Sequence, residues 1–322
     1  MRHYKQLTYE QRCQIYLLKQ ESYSQQAIAN AVGVSQSTVS RELRRNVGKK
    51  GYRYKQAQKK SQDRRRQAIK PHKMTPANIT LIEAKIKQDW SPEQVSGWLE
   101  MECGITISLE TIYLHVWANK QKGGDLYTHL RHQIKGYRSR KGSQYSRGKI
   151  KNRVSIHDRP FEVDAKTRIG DWEIDLMIGK DRSGALLTIV ERVSKFTVST
   201  QVDNKSAATV TLATLALLEP YREAVLTITA DNGKEFTYHE QMSKALDAQV
   251  YFADPYSSWQ RGLNENTNGL LRQYWPKKTD FKQVVASDVD EVIEKLNDRP
   301  RKALNYQTPA KLMAQHMTTL VA

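Results

Sequence analysis

Apolar residues recur every three to four positions through the first 120 residues and every second position from Phe161 onward, so the chain changes from helical to strand character partway along. Thr8 and Gln11 have the spacing of a capping box and open a helix through residue 19, with Ile15 and Leu18 on one face. Ser24 caps a short helix over 25–32 that turns Ala27, Ile28 and Ala31 inward. Gly33 ends it, and Ser35 caps a third helix to about residue 45, with Val39 and Leu43 inward. Two short helices joined through a glycine turn have the layout of a helix-turn-helix, although capped amphipathic helices also build ordinary three-helix bundles. A second helical unit repeats the layout. It has a helix over 76–87 bearing Ile79, Ile82 and Ile86, a helix capped by Ser91-Pro92-Glu93-Gln94, and a last helix capped by Ser108 with Ile112, Tyr113 and Val116.

In the C-terminal half, Asp171-Trp172-Glu173-Ile174-Asp175-Leu176 alternates strictly, with the three acids on one face and the apolar residues on the other. Residues 185–190 and 196–202 are further strands, 206–218 a helix, and 225–230 a buried strand ending at Asp231. A helix over 238–246 leads to a short strand at 250–253. Three strands in series, then alternating helix and strand, imply a mixed sheet with helices packed on it. The expected chain is therefore multidomain. It divides into an all-α helix-turn-helix unit (1–48), a linker (49–75), a second helical unit (76–120), another linker (121–160) and an α/β domain (161–322).

Charge changes this picture. The net charge is +18, but residues 1–160 carry 32 Lys+Arg against 12 Asp+Glu, and the remaining residues 20 against 22. A basic half attached to a balanced half that holds the carboxylates suits a protein that grips nucleic acid with one part and acts on it with the other. In a helix-turn-helix the third helix enters the major groove. Gln36, Ser37, Ser40 and Arg41 would then meet base edges, with Arg44 and Arg45 nearer phosphate. From Arg44 to Lys73 there are 13 Lys+Arg and one acid, and residues 126–157 hold nine Lys+Arg and none. Both stretches read as extended basic linkers with too little apolar surface for a core. The last helix of the second unit offers Glu110, Thr111 and His115, so that unit reads either as a second DNA reader or as a packing or dimerisation module. Cys13 and Cys103 are isolated, which excludes a cysteine metal knuckle or a disulfide framework. No apolar run has the length of a membrane span, and a cytoplasmic, nucleoid-associated protein is expected.

Asp231-Asn232-Gly233 follows an apolar run, and Glu265 and Arg272, seven residues apart, share one face of a helix. Each piece has an ordinary reading: a turn, a solvated strand edge, a surface ion pair worth about 0–1 kcal/mol. Together, an acid in an early strand, an acid ending a later strand and an acid on a following helix can converge at one end of such a sheet. Like charges so placed raise one another's pKa unless a cation neutralises them. Mg²⁺ prefers carboxylate oxygens and takes further ligands from phosphate, and two such ions about 3.5–4 Å apart would stabilise both oxygens of an in-line displacement at phosphorus. Which of Asp171, Glu173 and Asp175 takes part is open on spacing alone.

The chain resembles the IS30 family of bacterial insertion-sequence transposases, which carry a DDE catalytic domain of the ribonuclease-H-like, retroviral-integrase type. The matching residues are Gly170-Asp171-Trp172-Glu173-Ile174-Asp175 through Gly179, and Thr229-Ala230-Asp231-Asn232-Gly233-Lys234-Glu235-Phe236. They continue with Pro255-Tyr256-Ser257-Ser258-Trp259-Gln260-Arg261-Gly262 through Asn264-Glu265-Asn266, Asn268-Gly269 and Arg272, and with Asn297, Arg299-Pro300 and Thr308-Pro309 near the end. The family commonly has a small residue where Ile174 stands. The resemblance implies that Asp175 bridges two Mg²⁺ ions, for which Mn²⁺ can substitute, and that Asp231 and Glu265 hold one each. It also implies that Arg272 steadies phosphate or the acid, and that Glu173, Asn264 and Asn268 support the site. The implied partners are double-stranded DNA, as terminal inverted repeats and target, and further copies of the chain in a dimer or higher oligomer. The implied chemistry is 3′-end cleavage followed by strand transfer. A regulator with a degenerate C-terminal half would not need an intact acidic trio. A retroviral-type integrase would need a His/Cys zinc module that the N-terminal sequence lacks. A nuclease that cleaves without joining shares the same residues.

Overall fold

Thr8 and Gln11 make the reciprocal capping box and open α1 (Tyr9–Gln20). Ser24 caps α2 (Gln25–Val32), and Gly33 closes it in the left-handed region at φ 70°, a conformation that costs glycine little. Ser35 caps α3 (Gln36–Asn46). The computed structural model describes residues 6–67, 73–131, 150–255 and 257–321, and the chain divides into two compact units, Met1–His72 and Lys73–Ala322.

In the first unit, Ile15, Ile28, Val39 and Leu43 meet in one small core, with Tyr52 and Ala57 joining them from beyond the expected domain boundary. Residues 54–67, expected to stay extended, form α4 (Tyr54–Gln67), which packs on α1 and α3. The contact is made by Ala57, by the Tyr54 ring against those of Tyr9 and Tyr16, and by polar groups. Arg12, only 4% exposed, donates to Glu42 at 2.9 Å and to the Gln58 side chain at 2.6 Å, and the Tyr52 hydroxyl donates to Glu42 at 3.2 Å. Burial and the Glu42 carboxylate push the Tyr52 phenol well above its ordinary range. The cations of α4 also find work within the unit. Lys60 donates to the Val47 carbonyl at 2.6 Å, and Arg64 donates to the Arg45 carbonyl at 3.0 Å and to Asn46, so both satisfy the C-terminal end of α3.

The second unit begins with α5 (Pro76–Lys87), α6 (Pro92–Cys103) and α7 (Leu109–Gln121), packed around Ile82, Ile86, Val95, Leu99, Ile112 and Val116. These helices are fastened to the C-terminal segment. Gln94 donates to the Pro300 carbonyl at 3.0 Å, Lys302 reaches Glu93 at 2.7 Å, and the Tyr274 hydroxyl donates to Asp89 at 2.9 Å. Gly97 lies against the Tyr306 ring, where a Cβ would come within 2.2 Å of ring carbons. Of the basic segment expected over 121–160, residues 132–149 lie outside the described residues. Its ends are folded: Leu126 and Ile150 are buried, and Val154–Ser155 form a strand.

That strand is β1. It is followed by α8 (Phe161–Ala165), β2 (Asp171–Ile178), β3 (Ala185–Glu191) and β4 (Thr197–Val202), then α9 (Ala207–Leu218) and β5 (Thr227–Ala230). Next come α10 (His239–Leu246), β6 (Gln249–Phe252), α11 (Gly262–Leu271), α12 (Ala286–Asp298) and α13 (Pro309–Val321). The sheet order is β1-β6-β5-β2-β3-β4. The β2–β3–β4 meander is antiparallel, while β5 runs parallel to β2 and β6 parallel to β5, giving the expected mixed sheet. Trp172, Ile174 and Leu176 face a core completed by α9 and α10, and Met177 and Leu186 face another completed by α11 and α12. The β2–β5 register is set at their start. The Gly170 carbonyl accepts from Leu226 N at 2.8 Å and Thr227 N at 3.2 Å, with Gly170 at φ 122°, a backbone conformation closed to most side chains.

The polar core of the first unit makes a measurable demand. Glu42→Ala leaves the Arg12 guanidinium buried without its counter-charge and should cost about 3–5 kcal/mol. Hydrogen exchange should show protection lost across α1, α3 and α4 together, with the second unit unaffected.

Candidate active site

The parallel register pairs Asp171 with Thr227 and Glu173 with Thr229, so the same offset carries Asp175 opposite Asp231, just past the end of β5. Neighbouring strands lie about 4.8 Å apart, and the carboxyl ends of parallel strands are where open α/β sheets place ligands. Both aspartates are half-buried and both meet one cation. Arg261 Nη1 lies 3.2 Å from Asp175 Oδ1, and its Nη2 lies 3.6 Å from Asp231 Oδ2. Arg261 also donates to the Ile174 carbonyl at 2.9 Å. The other oxygen of Asp175 accepts from the Asn268 amide at 2.7 Å, and Asn268 in turn accepts from the Thr188 hydroxyl at 3.1 Å. Asp231 Oδ1 accepts from the Gly233 N–H at 2.7 Å, so the turn after β5 orients that carboxylate.

The alternation of acids along β2 resolves into different tasks. Asp171 is 1% exposed and is held by Arg168 at 3.2 Å and by the Thr227 hydroxyl at 2.8 Å. Glu173 is 2% exposed, ion-paired with Arg192 at 2.7 Å, and its other oxygen accepts the Asn264 N–H at 3.1 Å. Both are engaged in the interior. Asp175 is the acid of the three that reaches the open end of the sheet. The Glu173 contact fixes the first turn of α11 to β2, which places Asn268 one turn further on against Asp175. The Asn264 side chain is 1% exposed, and neither of its amide atoms has a hydrogen-bond partner among the described residues.

Glu265 lies in the first turn of α11, exposed and apart from the two aspartates. Among the described residues no three His, Cys, Asp or Glu side chains gather closely enough to hold one ion. Convergence of all three acids, expected from the sequence, is thus seen for two. A third carboxylate would add repulsion that a single guanidinium does not offset. The donor set still suits a hard divalent cation, because two carboxylates already converge on one positive charge. Arg272, expected to accompany Glu265, points elsewhere. Its guanidinium donates to the carbonyls of Trp275 at 3.4 Å and Pro276 at 3.2 Å and lies 6.0 Å from the Phe281 ring centre, with burial lowering its pKa. It closes the end of α11.

Arg261 is the residue that sequence reasoning quoted without giving it a role. Its signal was its place one helical turn before Glu265, in Trp259-Gln260-Arg261-Gly262. Its approach is prepared by the loop after β6. The Gln260 side chain accepts from Asp254 N at 2.7 Å and donates to Asp254 Oδ2 at 2.9 Å, and His157 reaches the same oxygen at 2.8 Å. Gln260 first and His157 second hold the Asp254 carboxyl below its ordinary pKa. Tyr256, part of the same motif, lies outside the described residues.

In the first unit, α3 presents Gln36, Ser37, Arg41, Arg44 and Arg45 on its exposed side, with Ser40 half-buried. Gln36 bonds Gln25 at 3.2 Å, and Arg41 folds back on Ser37 at 3.0 and 3.1 Å. His115 of α7, part of the non-basic face that left the second unit open between DNA reading and packing, meets Glu83 of α5 at 2.9 Å.

An exposed recognition-type helix in one unit, with paired carboxylates at the end of a mixed sheet in another, defines a DNA-binding protein with an integrase-type core. The helix-turn-helix domain family matches residues 3–46, and the integrase core domain family matches residues 166–258. The chain is 42% identical to a Bacteroides fragilis transposase for insertion sequence element IS4351, over 97% of this chain and 96% of that one. It is 35% identical to a Cupriavidus metallidurans transposase for IS1086, over 97% of this chain and 95% of that one. It is 34% identical to the Escherichia coli K12 transposase InsI for IS30A, over 95% of this chain and 83% of that one. The chain belongs to the IS30 family of insertion-sequence transposases, with the integrase-like ribonuclease-H fold. Among the described residues no helix is long and apolar enough to cross a membrane.

The contact that fixes α11 can be tested apart from chemistry. Arg192→Met leaves Glu173 buried without a counter-charge and should lower stability by about 3–5 kcal/mol. Urea unfolding followed by tryptophan fluorescence measures the loss.

Proposed function

We propose that this transposase binds the terminal inverted repeats of its insertion sequence through α2 and α3, and cleaves and rejoins DNA at Asp175, Asp231 and Glu265. The observation that carries the reading is the pair of aspartates side by side at the carboxyl ends of β2 and β5. The first turn of α11, which bears Glu265, is tied to the same strand through Glu173. Asp175, Asp231 and Glu265 would hold divalent ions, Mg²⁺ or in its place Mn²⁺, which would supply Lewis acidity at the scissile phosphate and an activated water. Asp175 would be one of the residues that hold the ions. Asn268 keeps its carboxylate from turning, and the Gly233 N–H does the same for Asp231.

The reaction balances without a nucleotide cofactor. Water attacks phosphorus at the element end, the 3′-oxygen departs with a proton, and a 3′-hydroxyl and a 5′-phosphate remain. The 3′-hydroxyl then attacks a phosphodiester of the target, forming one P–O bond as another breaks. Two ends must be held at once, so the working species is a dimer or higher oligomer acting on DNA in the bacterial cytoplasm. In the first unit, Gln36, Ser37, Ser40 and Arg41 face bases, and Arg44 and Arg45 face phosphates. Arg272 serves the end of α11.

Asp175→Asn, Asp231→Asn and Glu265→Gln should each abolish Mg²⁺-dependent cleavage and joining of end-bearing duplexes while end binding persists. Full activity in any one removes that residue from the site, and cleavage without joined product would mark a nuclease. In gel shifts at fixed salt, Arg44→Ala should weaken specific and random duplexes alike. Gln36→Ala should instead erase about 1–3 kcal/mol of the preference for the ends.

A further inference from the structure

We propose that Arg261 is a placeholder cation: it holds Asp175 and Asp231 together while no divalent ion is bound, and an entering ion displaces it. The inference rests on reading these aspartates as metal ligands. Arg261 is 9% exposed and enters between the two carboxylates from the turn preceding α11, with one terminal nitrogen toward each. Two like charges at the ends of adjacent strands repel, and a guanidinium spanning both removes that cost without closing the site.

Its bonding differs from that of an arginine built in for stability. Arg192 meets Glu173 at 2.7 Å, whereas Arg261 stands 3.2 and 3.6 Å from its two acids, beyond the usual span of a tight charge-assisted bond. Its Nε is buried with no hydrogen-bond partner among the described residues. Its one short contact is to the Ile174 carbonyl, at 2.9 Å.

The test is Mn²⁺ binding to the full-length, DNA-free protein, read by the electron paramagnetic resonance signal of the free ion. Arg261→Gln keeps a donor for the Ile174 carbonyl but removes the charge. It should bind Mn²⁺ about tenfold more tightly than wild type, the order expected for releasing one partly buried ion pair. Its melting temperature without metal should fall, and added Mn²⁺ should raise it by more than it raises that of wild type. Equal or weaker Mn²⁺ binding overturns the inference. Arg261→Lys, which keeps one charge but cannot span both carboxylates, guards against a folding failure of the glutamine variant. A smaller tightening is expected there, and an unchanged or weakened affinity again overturns it. Asp175→Asn and Asp231→Asn separate the two readings. If they bind Mn²⁺ as wild type does, the aspartates are not ligands. If they lose binding while Arg261→Gln stays at the wild-type value, the ligands stand and the placeholder falls.

Discussion

The buried carboxylate of Glu173 is the point on which the proposed active site depends. It is a strand residue with an arginine on one oxygen and the N–H of a helix's first turn on the other. A charge with so little exposure is tolerable only because both sides are satisfied. The contact fixes α11 both in position and in rotation about its axis. From it follow the reach of Asn268 to Asp175, the entry of Arg261 between the aspartates and the direction of Glu265. A helix docked by apolar contacts alone could rotate by some tens of degrees at little cost. One tied through a main-chain N–H to an ion pair has far less freedom.

Arginine recurs in this structure in three different capacities. Arg12 ties α1, α3 and α4 together beside the small apolar core of the first unit. Arg192 neutralises a buried acid. Arg64 closes the end of the helix proposed to read DNA. Each exploits a long apolar stem with a fork of donors at its tip, which lets a chain rich in positive charge use part of that charge internally. The strongly basic composition therefore overstates what is available to a polyanion.

Much of the fold could be read from period and caps. Thr8, Ser24, Ser35, Ser91, Ser108 and Ser206 each cap the helix expected after them, and the alternation at 171–176 identified β2 and its two faces. The helix α4 escaped because its packing relies on Ala57, on the Tyr54 ring at its first residue and on polar contacts to Arg12, which leave no apolar stripe along it. The choice among three acids on one face was undecidable from spacing because they share a period. It is burial and partner, set by α11 and by Arg192, that separates Asp171 and Glu173 from Asp175. Arg272 follows Glu265 at a helical repeat, which gives a shared face but not the rotamer, and here the guanidinium turns to nearby carbonyls. Arg261 had no periodic signature, since it sits in the turn before the helix.

Gly170 has a bearing on how such enzymes can diverge. The alignment of Asp175 with Asp231 is decided several residues back, where the Gly170 carbonyl takes both Leu226 N and Thr227 N. Between β2 and that junction lies an excursion that extends the sheet through β3 and β4, passes through α9 and the turn after it, and returns to the same seam. Length drift inside the excursion, whether by evolution or by a tag inserted near residues 203–206, is absorbed before the seam and does not reach the acids. A one-residue insertion at the seam itself would turn the Asp231 side chain to the opposite face of the sheet.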